Sequence, residues 1–223
     1  MTSFPEKTDM RSIPNHPSLR THEHPLISHK MRILRDETTS PQTFRRVLGE
    51  IAGLMTYEAL RDLPTKLCTV RTPIAECEAV RLAAPVTIVP ILRAGLGMTD
   101  GILALVPEAR VGHIGVQRDE STKRPVEYYE KLPPDIADGP VLVVDPMLAT
   151  GGSAVHAVAY LKNRGCRQIR FLCLVAAPEG VDHLHEHHPE VAVHAAVLDE
   201  RLDERAYIVP GLGDAGDRIF GTL

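Results

Sequence analysis

With 223 residues, 43% hydrophobic and 24% charged, the chain has material for one sizeable core and lacks the composition of a disordered protein. Its net charge of −4 denies it the basic surplus behind non-specific nucleic-acid binding, and no apolar run approaches the roughly 20 residues that span a bilayer. Four cysteines without a C-x-x-C pair, behind an N-terminus with no charged and then apolar leader, imply free thiols and a cytoplasmic location.

Residues 1–21 are polar, carry three prolines and show no period, which predicts a flexible arm ahead of a single domain at 22–223. His22, Glu23 and His24 read as its solvated junction. From Ser40 the positions Phe44, Val47, Leu48, Ile51, Leu54 and Met55 follow helical spacing, with Ser40 as N-cap and Pro41 at the first helical position. A long amphipathic helix to Leu60 is predicted. Apolar β-rich runs follow at 86–92, 111–118, 141–145, 169–177 and 191–199, separated by helical segments at 97–106, after Gly152 and near 181–187. Strands alternating with helices, several of them apolar throughout, predict an α/β fold with a parallel sheet covered on both faces.

The run VLVVD at 141–145 ends in Asp145 and passes through Pro146, Met147, Leu148, Ala149, Thr150, Gly151, Gly152 and Ser153 into a helix. In such sheets ligands bind beyond the carboxyl ends of strands. Hydroxyls on Thr150 and Ser153, with a glycine pair at a helix N-terminus, compose a cradle for a sugar phosphate. The other reading is a tight strand-to-helix turn with a capping hydroxyl. No G-x-x-x-x-G-K-[ST] occurs, so the loop is not a Walker A loop. Arg93, just after an apolar strand, is placed to fork onto diphosphate oxygens, with Ala94 and Gly95 permitting close backbone approach. The stretch RDESTKRPVEYYEKLP, from Arg118, is charged and carries Tyr128 and Tyr129. It reads as a mobile flap that excludes water, or else as a solvated hairpin.

Strand, Asp, short loop, Ala-Thr-Gly-Gly-Ser and helix resemble the 5-phosphoribosyl-1-pyrophosphate (PRPP) signature of type I phosphoribosyltransferases. That family usually has two adjacent acids here, whereas Asp145 is followed by Pro146. Asp-Pro-Met-Leu-Ala-Thr-Gly-Gly-Ser resembles the variant of the uracil phosphoribosyltransferases. So do VPILRAGLGMTDG (89–101), YIVPGLGDAGDRIFGT (207–222), MTYEA (55–59) and LVAAPEG (174–180). The similarity runs from about His24 to the C-terminus.

The resemblance implies a mostly parallel twisted sheet flanked by helices, a flap hairpin and a C-terminal base-binding hood. It implies PRPP contacts from Arg93, Arg118, Asp145, the 146–153 loop and Asp214. It also implies a uracil site formed by Ile208, Gly213, Asp214 and Ala215, and Mg²⁺ carried with the diphosphate and held by Asp214 through water. The expected reaction makes UMP and diphosphate from uracil and PRPP in pyrimidine salvage, by a homodimer or higher homo-oligomer. Some relatives are stimulated by GTP, and no residue pattern in this chain decides that. A regulatory RNA-binding protein on the same fold needs a basic face, against which the net charge argues. A transferase for another base is distinguished by the C-terminal loop.

Three features are set aside. Gly211-Leu-Gly-Asp-Ala-Gly216 matches G-x-G-x-x-G, but too few residues follow it for a dinucleotide fold. His183, His185, His187 and His188 lack metal-site spacing and read as a solvated helix end. Cys166 and Cys173 flank a strand and read as packing residues.

Overall fold

The computed structural model describes residues 11–13, 16–118 and 125–222. In chain order these form β1 (Arg11–Ile13), β2 (His16–Thr21), α1 (Pro25–Arg35), α2 (Pro41–Ala59), β3 (Thr65–Arg71), β4 (Glu76–Leu82), β5 (Thr87–Leu92), α3 (Leu96–Leu105), β6 (Arg110–Val111), β7 (His113–Arg118) and β8 (Pro125–Lys131). A 3₁₀ turn at Ile136–Asp138 leads to β9 (Val141–Val144), β10 (Met147–Leu148), α4 (Gly152–Asn163), β11 (Ile169–Ala176) and α5 (Pro178–His187). The chain ends with β12 (Ala192–Leu198), β13 (Arg201–Leu202), β14 (Ile208–Val209) and α6 (Ala215–Phe220).

The main sheet has the order β1-β2-β12-β11-β9-β5-β7-β8. Every neighbouring pair from β2 to β7 is parallel, and the outermost pair at each edge is antiparallel. Strand β9 shows how composition selects this arrangement. Val141 and Val143 join the core layer beneath α4 and α5, while Leu142 and Val144 join the layer beneath α1, α2 and α3. In β11, Phe171 and Cys173 face the first layer, and Leu172 and Leu174 the second. Successive side chains leave opposite faces, so a sheet covered on both sides takes a continuous apolar run. Helix α2 begins as its cap predicts, with Ser40 Oγ accepting the Thr43 N–H at 3.3 Å and Pro41 in the first turn. Phe44, Val47, Leu48, Ile51 and Met55 are fully buried.

The chain departs from the sequence reading at three places. Residues 16–21 are not a free arm: β2 lies parallel to β12, and Leu19 is fully buried. Paired with β1 on one side and β12 on the other, β2 needs only these backbone partners and one apolar anchor, which is why so polar a segment docks. Residues 1–10, 14 and 15 lie outside the described residues. His22 is buried rather than solvated, and its ring stacks on that of His194 with centroids 5.3 Å apart. Burial, reinforced by its neighbour, pushes His194 down to about 3, so this pair is held by one neutral ring donating to the other at 3.2 Å. Third, β3 and β4 form an antiparallel hairpin of their own, exposed along both strands, with Leu67, Val70, Ile74 and Val80 open to solvent.

Strands β7 and β8 pair antiparallel where the sequence predicts a flap. Tyr128 and Tyr129 are about half exposed there, and residues 119–124 lie outside the described residues. Among the described residues no helix is long and apolar enough to cross a membrane.

Candidate active site

The loop after β9 is built almost entirely from backbone. The Asp145 N–H donates to Leu172 O at 3.1 Å, and the Pro146 carbonyl accepts from Leu174 and Val175 at 2.9 and 3.1 Å. Met147 and Leu148 then pair with Val175 and Ala176 as β10, a short strand where the sequence suggests plain loop. Leu148 is buried, and its carbonyl accepts the Ala177 N–H at 2.9 Å. Gly151 has φ of +78° and precedes the first turn of α4, and no side chain caps that turn. The left-handed conformation calls for glycine. The leading amides of α4 lack intrahelical partners and carry the positive end of the helix dipole, an arrangement that receives an anion. Thr150 is exposed and Ser153 is partly exposed beside this helix start.

Asp145 is the loop's one ionisable group. Burial pushes its carboxyl up from 3.8 to about 7; the Met147 N–H at 3.5 Å opposes this weakly, and the Asp214 carboxylate adds to it. Two carboxylates far apart in sequence are thus close enough to repel each other. Asp214 itself is exposed, and its Oδ1 accepts the Asp217 N–H at 2.9 Å, capping α6.

Arg93 follows β5 and is exposed, with its guanidinium 3.4 Å from Asp217 Oδ1 and above the Phe220 ring at 5.8 Å. The turn it opens folds closely over the sheet: a Cβ on Gly95 would come within 2.7 Å of Ile91 O and crowd Val144 O, next to Asp145. The structure thereby brings Arg93 to the C-terminal segment. Arg118 ends β7, and its side chain lies outside the described residues.

The C-terminal segment is a hood made of β13, β14, a cis Val209–Pro210 bond, glycines 211 and 213 at φ of +60° and +79°, and α6. Ile208 and Ala215 are buried and anchor it to the core, while Gly213 and Asp214 are exposed. Arginines hold it in place, among them Arg45 of α2, which donates to Ile219 O at 2.6 Å. Arg35 grips Asp199 through both nitrogens at 2.9 and 2.6 Å and donates to Gly211 O at 2.7 Å, while the Gly211 N–H donates to Asp199 at 2.8 Å. Arg218 donates to Leu34 O, Leu212 O and Asp36 O, with its guanidinium 4.5 Å above the Phe44 ring.

Sequence reasoning misses Arg35, Asp199, Asp217 and Arg218. Only Asp217 leaves a readable trace, as the acid three residues after a capping Asp. His183 also corrects the sequence reading: its ring Nδ1 lies 2.8 Å from Thr150 O, so this histidine touches the phosphate loop. Cys166 and Cys173 are buried free thiols, and burial pushes both thiols up.

The chain is similar to known proteins along most of its length. The family model described as uracil phosphoribosyltransferase matches residues 21–222. Uracil phosphoribosyltransferases of Staphylococcus aureus strains Newman and N315 are each 57% identical over 201 residues, 90% of this chain and 96% of theirs. Among solved structures, the AQ2163 protein of Aquifex aeolicus superposes with a TM-score of 0.86 at 38% identity, covering 91% of this chain and 97% of its own. An adenine phosphoribosyl transferase of Trypanosoma brucei, at 12% identity and a TM-score of 0.55 over 89% of both chains, shares the fold alone. The chain belongs to the uracil phosphoribosyltransferase family.

Proposed function

We propose that this protein transfers the 5-phosphoribosyl group of PRPP to N1 of uracil, giving UMP and diphosphate in pyrimidine salvage. One observation carries the reading: Asp145, the uncapped start of α4, and the contact of Arg93 with the 214–217 segment gather at the carboxyl ends of β5 and β9. Breaking the C1–diphosphate bond spreads positive charge over the ribose ring and collects negative charge on the leaving group. In this reading Asp145 accepts hydrogen bonds from the ribose hydroxyls, and the main chain of 146–153 receives the 5′-phosphate. Arg93, with Arg118, takes the diphosphate.

Uracil offers an acceptor-donor-acceptor edge. Main-chain groups of Ile208, Gly213, Asp214 and Ala215 would match it, and cytosine, which inverts two of the three positions, would leave them unpaired. The facing carboxylates Asp145 and Asp214 suit a divalent cation, since a positive charge between them relieves the repulsion. Among the described residues no group of three ligating side chains assembles, which fits Mg²⁺ held chiefly by diphosphate and water, with Asp214 outside that water. Such an ion neutralises the departing diphosphate.

The exposed apolar side chains of the β3–β4 hairpin support a homo-oligomer. So does a groove of about 1060 Å³ between α2, α3 and α6, lined by Tyr57, Leu96, Leu105 and Phe220. The four free thiols support a cytoplasmic setting. GTP belongs in the assay as a candidate activator.

The test is to incubate the protein with PRPP and Mg²⁺ plus uracil, cytosine, hypoxanthine or orotate separately, with and without GTP, and to quantify nucleotide. UMP from uracil alone, reduced at least about tenfold in Arg93→Ala through loss of charge-assisted hydrogen bonds, is the expected result. Nucleotide from another base in preference to uracil would overturn the assignment.

A further inference from the structure

We propose that His183 is a positioning residue for the phosphate loop, setting the orientation of the Thr150–Gly151 peptide. The proposal rests on the reading that this loop receives the 5′-phosphate. The ring Nδ1 of His183 lies 2.8 Å from the Thr150 carbonyl oxygen. A carbonyl only accepts, so Nδ1 carries the proton and donates it.

The consequence follows from peptide geometry. In a trans peptide the carbonyl and the amide N–H point in opposite directions. Holding the Thr150 carbonyl toward α5 turns the Gly151 N–H away from α5, to the side where the open start of α4 lies. Glycine tolerates either sign of φ, so reversing this one peptide is cheap, and the reversed form presents a carbonyl to the anion in place of an amide. The His183 bond selects the useful form, in which Gly151 has φ of +78°.

Helix α5 is placed to do this. A Cβ on Gly180 would press to 3.0 Å from Ala149 C, so a glycine there lets the helix lie against the loop. The helix is itself tied to its surroundings at two points and stiffened by one contact within it. Glu179 Oε1 accepts the Leu202 N–H at 3.0 Å, Asp182 pairs with His16 at 2.7 Å, and His187 Nδ1 donates to His183 O at 2.9 Å. The His187 ring also packs edge-on against His183 with centroids 4.8 Å apart, limiting its rotation.

The test measures PRPP binding calorimetrically in the presence of Mg²⁺, together with KM for uracil and Tm, in His183→Ala, His183→Asn, His183→Gln and Gly151→Ala. The Asn amide nitrogen sits where Nδ1 does, whereas the Gln amide lies one bond further out. His183→Ala and His183→Gln are expected to weaken PRPP binding about three- to tenfold, the worth of one hydrogen bond. His183→Asn should remain within about twofold of the parent, with uracil KM and Tm unchanged in all three. Unaltered PRPP binding in His183→Ala, or failure of Asn to rescue where Gln also fails, overturns the proposal. If Gly151→Ala weakens PRPP binding and His183→Ala does not, only the role of His183 falls. If neither matters, or the parent binds no PRPP, the loop reading falls with it.

Discussion

The loop after β9 and the C-terminal hood approach each other at Asp145 and Asp214 and are held in opposite ways. Residues 145–148 are laid along β11 by main-chain hydrogen bonds, and of the loop that follows only the Thr150 carbonyl is met by a side chain, that of His183, among the described contacts. The hood from 199 to 221 has only a two-residue pair of strands and is held by the guanidinium groups of Arg35 and Arg218 reaching back from helices. A ladder spreads its cost over many weak contacts, whereas a clamp concentrates it in one buried pair. The loop should therefore tolerate side-chain changes that the hood does not.

The largest expected effect is on the hood side. Asp199 is 4% exposed at its side chain and answers both Arg35 nitrogens and the Gly211 N–H. Asp199→Ala leaves a largely buried guanidinium unpaired, so stability should fall by about 3–5 kcal/mol in denaturant titration. In the surviving folded protein, KM for uracil should rise more than KM for PRPP. Equal rises in both would break the contrast.

Asp145→Asn should act in the other direction on stability. The folded carboxyl titrates near 7 and not 3.8, so its stabilising protonated form is complete below pH 4 and lost as pH rises through 7. At pH 8 the wild-type fold carries a poorly solvated carboxylate that the amide removes. The Asp145→Asn protein should be more stable by roughly 2–4 kcal/mol at pH 8, with the gain disappearing toward pH 4. If Asp145 holds the ribose as proposed, the variant's turnover should nevertheless fall by about 10–100-fold, from the loss of charge-assisted bonds. A stability gain independent of pH would rule out carboxylate burial as its cause.

The smallest effect probes the bridge between the regions. Glu179 on α5 accepts the Leu202 N–H from the exposed side of the hood. Glu179→Ala should cost about 1 kcal/mol or less and shift PRPP binding by less than His183→Ala does, because the His16–Asp182 pair still holds α5 against the loop. A parallel loss of PRPP affinity would show that the two are coupled.

The same contrast explains what can be read from sequence. Strands β5, β9 and β11 announce themselves as apolar runs, and α2 by Ser40, Pro41 and its helical period. The shape of the 145–153 loop is legible because its device is local: an Asp, a glycine pair and a helix start within nine residues. The Arg35–Asp199 clamp joins residues 164 apart, and no local pattern announces such a pair. Helix α1 is hidden because His24, an unusual cap, accepts the Leu26 N–H in place of a Ser or Asp. The β3–β4 hairpin is hidden because both faces are wet, which erases the alternation that marks a half-buried strand. His183 reads as part of a solvated helix end because its partner is a main-chain carbonyl, which any residue at position 150 would supply.

Strand β2 adds a consequence in time. It leaves the ribosome well before its sheet partner, residues 193–195 of β12. Leu19 therefore has no β12 to lie beside until the whole parallel centre between them has been made. Arg35 likewise waits for Asp199 and Gly211. The strands β5, β9 and β11 can assemble during synthesis, whereas the N-terminal edge and the hood close together afterwards. Completion of this fold trails the making of its centre, limited by contacts between segments far apart in the chain.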